Sequence, residues 1–382
     1  MKRGIQMKLR SVVLAVMAGL LMCSAHAQSA RRKVIIDQDT SGPGASNLQA
    51  ILLALQSPDV EVLGITVESG DAWQEEEVAH ALRMLELVGR TDVPVYRGST
   101  YPLVNTREAT KRWEGMYGKL AYKGAWMEDW PDYSTVYRPR YHAPDVIPPM
   151  PEGAPRTHAA EGTAVDFLIR EVHRYPGEIT IMGLGPFTNI ALAVRLDDDF
   201  AKLAKEFVLM GAGLNPIAPK TDEFSLQYIY SPRSNFNFRW DPEAAKIALH
   251  GGWKRVVVVP TDATVETAFT PEILKAIQAE KSPAAKYIAA YPYLKLPMWD
   301  ELTVAVWLSP KLITHEDKMS LDVDTNSGGA GYGETLSWRS GEGPGLGEPV
   351  VEAIRAVDVA AFNAMFVDAM GRDSGGGGTA QH

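Results

Sequence analysis

The most constraining feature of the chain is an apolar strand that runs straight into two carboxylates. Val34-Ile35-Ile36 is followed by Asp37-Gln38-Asp39, then by the turn-forming run Thr40-Ser41-Gly42-Pro43-Gly44, and then by the apolar helical pattern Asn47 to Leu55. A buried strand ending in acidic side chains belongs to open α/β sheets, which place their ligands outside the carboxyl ends of the strands. Asp37 and Asp39 share a strand face because side chains alternate with period two. A turn rich in Asp and Gly for purely conformational reasons is the plain alternative.

The same rhythm recurs along the chain. Val60 to Val67 reads as a second strand, and Glu75 to Val88 carries apolar residues at helical spacing. Val93-Pro94-Val95-Tyr96 reads as a short strand, 162–174 as an amphipathic helix, and Ile179 to Gly185 as another strand before a helix from about Asn189. Phe207 to Met210 and Val256 to Val259 read as further buried strands. Right-handed strand–helix–strand crossovers then require a mostly parallel sheet, so the expected fold class is α/β, doubly wound, in one large domain over 33–370. Two regions interrupt the rhythm. Residues 101–160, rich in Trp, Tyr, Pro and Arg, read as a loop-rich insertion near the site, and 319–350 read as loop around short strands.

The first 27 residues have the form of an export signal. Lys2, Arg3, Lys8 and Arg10 precede the apolar stretch Val12 to Met22, and Ala25-His26-Ala27 offers a small-x-small cleavage site. The apolar run is too short to span a bilayer, so export to the periplasm or the exterior is expected, with no membrane span in the mature form. Cleavage removes Cys23, the only cysteine, and with it any disulfide or thiol chemistry. Asp and Glu outnumber Lys and Arg by 47 to 38, which argues against a nucleic-acid partner. The Gly-rich end, 371–382, reads as a flexible tail.

Taken in order, the acidic opening turn, Gly64-Ile65-Thr66, Val93-Pro94-Val95, Gly185-Pro186-Phe187-Thr188-Asn189, Met210-Gly211, Asn235-Phe236-Asn237 before Asp241-Pro242-Glu243-Ala244, and Trp299-Asp300 resemble the nucleoside hydrolase family. The resemblance implies hydrolysis of the N-glycosidic bond of ribonucleosides, calcium at the carboxyl edge of the sheet, and a homodimer or homotetramer. It implies that Asp39 touches both the metal and the attacking water as general base, that Thr188 gives a main-chain carbonyl to the metal, and that Asp300 is a second carboxylate ligand. Asp37 matches the first acidic residue of the opening motif, Asn237 an asparagine that binds ribose hydroxyls, and Asp71 lies near another sugar-facing position.

This chain also departs from the family pattern. Ser46 and Asn47 stand where paired aspartates are usual, in a turn about three residues longer; Asn47 can still offer one amide oxygen to calcium, and Ser46 one hydroxyl to a sugar. Asn235 replaces a sugar-contacting glutamate, and Ile229 falls where an asparagine for the 5′ end is expected. Trp299 precedes Asp300 where pyrimidine-tolerant members have histidine, as in the purine-preferring branch, which stacks the base between aromatics. Trp113, Tyr117 and Trp126 are the candidates for the other face. His80, in the helix 75–88, is expected to pack rather than to act as an acid. Two alternatives stand beside a purine nucleoside hydrolase: a sugar- or nucleoside-binding protein without catalysis, and a hydrolase of another ribosyl or glycosyl substrate.

Overall fold

A computed structural model of the chain describes residues 31–128, 139–215 and 233–372. The expected signal segment, most of the Gly-rich tail and Ile229 lie outside the described residues. From Arg32 onward the chain forms one compact unit.

Nine strands form one sheet in the order β3-β2-β1-β4-β5-β6-β9-β7-β8. Its first half is built as the sequence rhythm requires. β1 (Arg32–Gln38) pairs in parallel with β2 (Val60–Val67) on one side and with β4 (Ile179–Gly183) on the other. β3 (Val95–Arg97) extends the sheet past β2, while β5 (Glu206–Met210) and β6 (Val256–Val259) extend it past β4. The chain therefore winds outward from β1 in one direction and resumes in the other. The strand order reverses between β1 and β4, the crevice in which open α/β sheets bind ligands.

Helices cover both faces, which explains why the central strands are apolar throughout rather than alternating. α1 (Ser46–Leu55), α2 (Gln74–Val88) and the late helices form one apolar layer with Val34, Ile36, Ile65 and Val67. α4 (Ala164–Arg174) and α5 (Thr188–Leu196) form the other with Ile35, Ile181 and Phe207. α1 is buried along its whole length, sandwiched between the sheet and α12 (Trp299–Leu308). No helix among the described residues is long and apolar enough to cross a membrane.

The structure adds detail to three regions. The loop-rich insertion also holds α3 (Arg107–Tyr117), capped by Thr106, whose Oγ1 accepts from Ala109 N–H at 3.0 Å. Only Thr110, Trp113 and Glu114 of α3 are buried, so the helix shows almost no apolar stripe. The region 319–350 is loop around short strands, as expected. It continues β7 (Ile313–Val323), which runs antiparallel to both β9 (Val350–Val357) and β8 (Thr335–Arg339). The exposed run His315 to Lys318 hides the strand from any reading of apolar pattern. The last helix, α13 (Val359–Gly371), ends where the Gly-rich tail was expected to begin.

Candidate functional site

At the reversal between β1 and β4 lies an open cavity whose empty space, its solvent-facing part included, is about 600 Å³. Its polar end is lined by Asp39, Ser46, Asn47, Asp71 and Asp300, with Asn235, Asn237 and Thr261 on the far wall. Tyr122, Phe236, Tyr293 and Trp299 give it aromatic walls.

The opening turn reaches this cavity because small residues let it fold tightly. Gly44 has φ 73°, and a Cβ there would meet the carbonyl oxygen of Tyr291 at 2.0 Å. Gly70 serves the facing loop, where a Cβ would lie 2.2 Å from Asp39 Oδ2. Only glycine allows that approach, and it lets the Asp71 N–H donate to the same oxygen at 3.0 Å.

The polar end is a buried network. The Asn47 amide nitrogen donates to Asp39 Oδ1 at 3.1 Å and, more weakly, to Asp300 Oδ2 at 3.4 Å. Gln38, fully buried, donates to Asp300 Oδ2 at 3.0 Å while its own oxygen accepts from Asp39 N–H. The Ser41 hydroxyl donates to Asn47 Oδ1 at 3.3 Å. Burial pushes Asp39 well above the usual carboxylate range, and the neighbouring charges of Asp71 and Asp300 push the same way. Burial raises Asp300 to about 8, partly opposed by the hydrogen bond from Gln38. Among the described residues, no lysine, arginine or histidine lines the cavity.

Buried carboxylates without a cationic side chain are costly unless protonated or met by a cation. The oxygen donors available beside them are the two carboxylates themselves and, once its amide is turned, Asn47, with Leu184 also lining the cavity. Such a set suits calcium, which accepts mixed carboxylate and carbonyl ligands in irregular geometry. The Asn47 amide would have to turn its oxygen inward, and the Ser41 hydroxyl can accept from the nitrogen in that orientation as readily as it now donates to the oxygen. The fit is one of low charge, since among the described residues no three His, Cys, Asp or Glu side chains converge on a point.

Other expected site residues lie elsewhere. Asp37 is fully buried below the cavity, where its Oδ1 accepts from Thr66 Oγ1 at 2.5 Å and Asn189 Nδ2 at 2.9 Å. It is part of the scaffold, not a substrate contact. Thr188 does not line the cavity either. The chain turns at Phe187, φ 70°, and Thr188 Oγ1 then donates to Asp241 Oδ2 at 2.8 Å. Leu184, the residue that follows β4, lines the cavity instead.

Trp113 and Tyr117 do not face the cavity. Their polar atoms donate to the carbonyls of Gly329 and Gly328, and the Trp113 ring covers the Arg239 guanidinium at 4.7 Å. Trp126 stacks on Trp240 with centroids 4.0 Å apart. Tyr122, Phe236 and Tyr293 take the wall positions that these residues were expected to hold, with the Tyr122 and Phe236 rings edge to face at 4.7 Å.

Asp71, Asn235, Asn237 and Trp299 all line the cavity. Three of them have hydrogen bonds to the protein. Asn237 Nδ2 donates to the carbonyls of Leu184 at 2.7 Å and Met210 at 3.0 Å, leaving its oxygen for a ligand. Asn235 caps the short helix α7 (Phe236–Trp240) and donates to Thr261 Oγ1 at 3.0 Å. Asp71 accepts from the Tyr122 hydroxyl at 2.5 Å. Gln38 had not been singled out in sequence; its place between two aspartates at a strand end was the available signal.

Residues 34–364 match the inosine-uridine preferring nucleoside hydrolases. The chain belongs to this family. A probable uridine nucleosidase 2 of Arabidopsis thaliana is 29% identical, over 75% of this chain and 80% of the relative. A probable uridine nucleosidase 1 of Oryza sativa subsp. japonica is 30% identical over 69% of each. Among solved structures, a purine-preferring ribonucleoside hydrolase from Gardnerella vaginalis superposes with a TM-score of 0.66 at 23% identity, covering 89% of this chain and 98% of the other. This nucleoside hydrolase thus has the family's fold and its general chemistry, cleavage of an N-glycosidic bond, in a family that is generally calcium-dependent.

Proposed function

We propose that the chain is an exported, calcium-assisted purine nucleoside N-ribohydrolase. The observation that carries this reading is the buried Asp39–Asn47–Asp300 network facing an aromatic-walled cavity that has no cationic side chain among the described residues. An acidic pocket of this kind suits a neutral nucleoside and repels phosphate esters. Asp39, Asn47 and Asp300 would hold the calcium. When bound, the ion polarises its water and the ribose hydroxyls.

The chain's own groups supply the rest. Asp39 accepts the proton of the attacking water, a role suited to a carboxylate whose basicity is raised by burial. The Asn237 oxygen and Asp71 accept from ribose hydroxyls. Trp299, with Tyr293 on one side and Tyr122 and Phe236 on the other, holds the planar base, and the flat walls favour the larger purine. Atoms balance as water adds to C1′ while the base leaves with the displaced electron pair and a proton.

The test is a nucleoside panel, inosine, guanosine, adenosine, uridine and cytidine, with free base and free ribose measured with and without a calcium chelator. Purine release that the chelator abolishes supports the reading, and no release from any nucleoside by folded, calcium-loaded protein refutes it. One observation favours a second reading: Ser46, Asn47 and Asn237 have already committed hydroxyl or amide protons to protein partners. A different glycosyl substrate, or binding without cleavage, is that second reading, and calorimetry with ribosides that are not hydrolysed separates these cases. Export is tested by the amino terminus of the mature protein, expected at Gln28. Self-association as a homodimer or homotetramer is tested by light scattering over a dilution series.

A further inference from the structure

The helices that carry Asn47 and Asp300 into the cavity are joined by a contact that neither could make alone. Several helices have their own side-chain caps, among them Thr163 on α4, which accepts from Asp166 N–H at 3.1 Å. α12 begins after Met298 and α1 after Ala45, and neither of those residues provides a cap. For α12 the cap comes from outside. Ser46 Oγ, at the start of α1, accepts from Asp300 N–H at 3.1 Å and donates to Glu301 Oε2 at 2.5 Å.

The pattern resembles a capping box, a hydroxyl serving a first-turn N–H while a first-turn glutamate accepts in return, but its two halves come from different helices. Ser46, Asp300 and Glu301 are each at most 5% exposed, so water does not compete for these bonds. Ser46 precedes Asn47, and Asp300 precedes Glu301. A bond between Ser46 and the Asp300–Glu301 turn therefore sets how closely Asn47 meets Asp300, now 3.4 Å.

We infer that Ser46 and Glu301 form an inter-helix cap that positions Asp300 against Asn47 and thereby sets the affinity of the site for a divalent cation. Ser46 is then a positioning residue, not a sugar contact. The inference rests on the calcium reading above, and its test must separate the two.

Terbium luminescence with calcium competition, together with kcat and KM on a cleaved nucleoside, is measured on the full chain. The variants are Ser46→Ala, Ser46→Thr, Glu301→Ala, Ser46→Ala with Glu301→Ala, and Thr163→Ala as a remote cap control. Ser46→Ala and Glu301→Ala should each weaken terbium binding about tenfold or more, the range for groups that orient metal ligands. The double variant should be little worse than either single one, because the two residues act as a unit. Ser46→Thr should restore binding, and Thr163→Ala should lower Tm without changing affinity.

Unchanged terbium affinity in Ser46→Ala with a raised KM overturns the inference and makes Ser46 a substrate contact. Additive losses in the double variant also overturn it. A wild-type chain that binds no terbium or calcium refutes the calcium reading instead. The kcat values of the same variants then decide the cap, coupled losses supporting it and additive ones overturning it. If Ser46→Ala does not fold, the comparison of Ser46→Thr with Glu301→Ala gives the same decision.

Discussion

His80 offers a stability experiment whose sign and size follow from its surroundings. It lies in α2, 1% exposed, directly behind the opening turn, where a Cβ on Gly42 would meet its ring at 2.6 Å. Its Nδ1 bonds to Glu152, and the Glu76 carboxylate lies 3.8 Å from Nε2, itself held by His142 at 3.0 Å. Burial disfavours the imidazolium, but the bond to Glu152 and the charge of Glu76 outweigh it and raise His80 to about 9. The ordinary value is 6.5. Between these two values the folded state holds a proton that the unfolded state has lost, so stability falls as pH rises. The contribution is fully present below pH 6.5 and gone above pH 9. At 1.36 kcal/mol per unit it amounts to roughly 3 kcal/mol. Urea denaturation of the wild type and His80→Gln at pH 6, 7.5 and 9.5 should show a large gap at pH 6 that closes by pH 9.5. Parallel curves, with the gap unchanged across that range, would mean that His80 is buried neutral and that the turn is not held by an ion pair.

Asp39→Asn should leave Tm near that of the wild type or above it, since a buried charge is lost, while turnover falls by about 10³-fold or more; circular dichroism and initial rates check both. Trp299→Ala should reduce kcat/KM for inosine by about tenfold more than for uridine, and equal losses would leave Trp299 as a packing residue. Arg239 is buried between the Trp113 and Tyr332 rings, at 4.7 and 5.0 Å, and none of its guanidinium nitrogens has a hydrogen-bond partner among the described residues. Arg239→Ala should cost about 2 kcal/mol in urea denaturation through lost cation–π contact and packing, with little change in KM.

The fold was legible wherever strands are buried on both faces, because such strands leave unbroken apolar runs. Val34 to Ile36, Phe207 to Met210 and Val256 to Val259 are of that kind, and each lies in the interior of the parallel half of the sheet. The antiparallel end was not legible for the opposite reason. β7 exposes His315 to Lys318, so it presents charges where a pattern reading needs alternation. α3 failed similarly, as a helix held by one cap and three buried residues. Even α12 was hard to read: it is buried on nearly every side, and its apolar residues mark no single face.

At the site, residues were legible when their chemistry lay in the chain segment itself and obscure when it depended on a neighbour. Asp39 and Asp300 were singled out by the family resemblance, since along the chain each reads equally well as a capping carboxylate. Trp113 was ambiguous because an aromatic side chain in an insertion serves packing and stacking equally, and here Arg239 claims its face. Ser46 is the clearest case. Read along the chain, it is a weaker substitute for an aspartate; read across the fold, its hydroxyl is taken by Asp300 and Glu301, more than 250 residues away in sequence. The Ser46 hydroxyl meets a buried glutamate at 301, whose own pKa is pushed up by burial and held down in part by that same hydroxyl. A substitution that put an aspartate at 46 alone would set two buried carboxylates against each other.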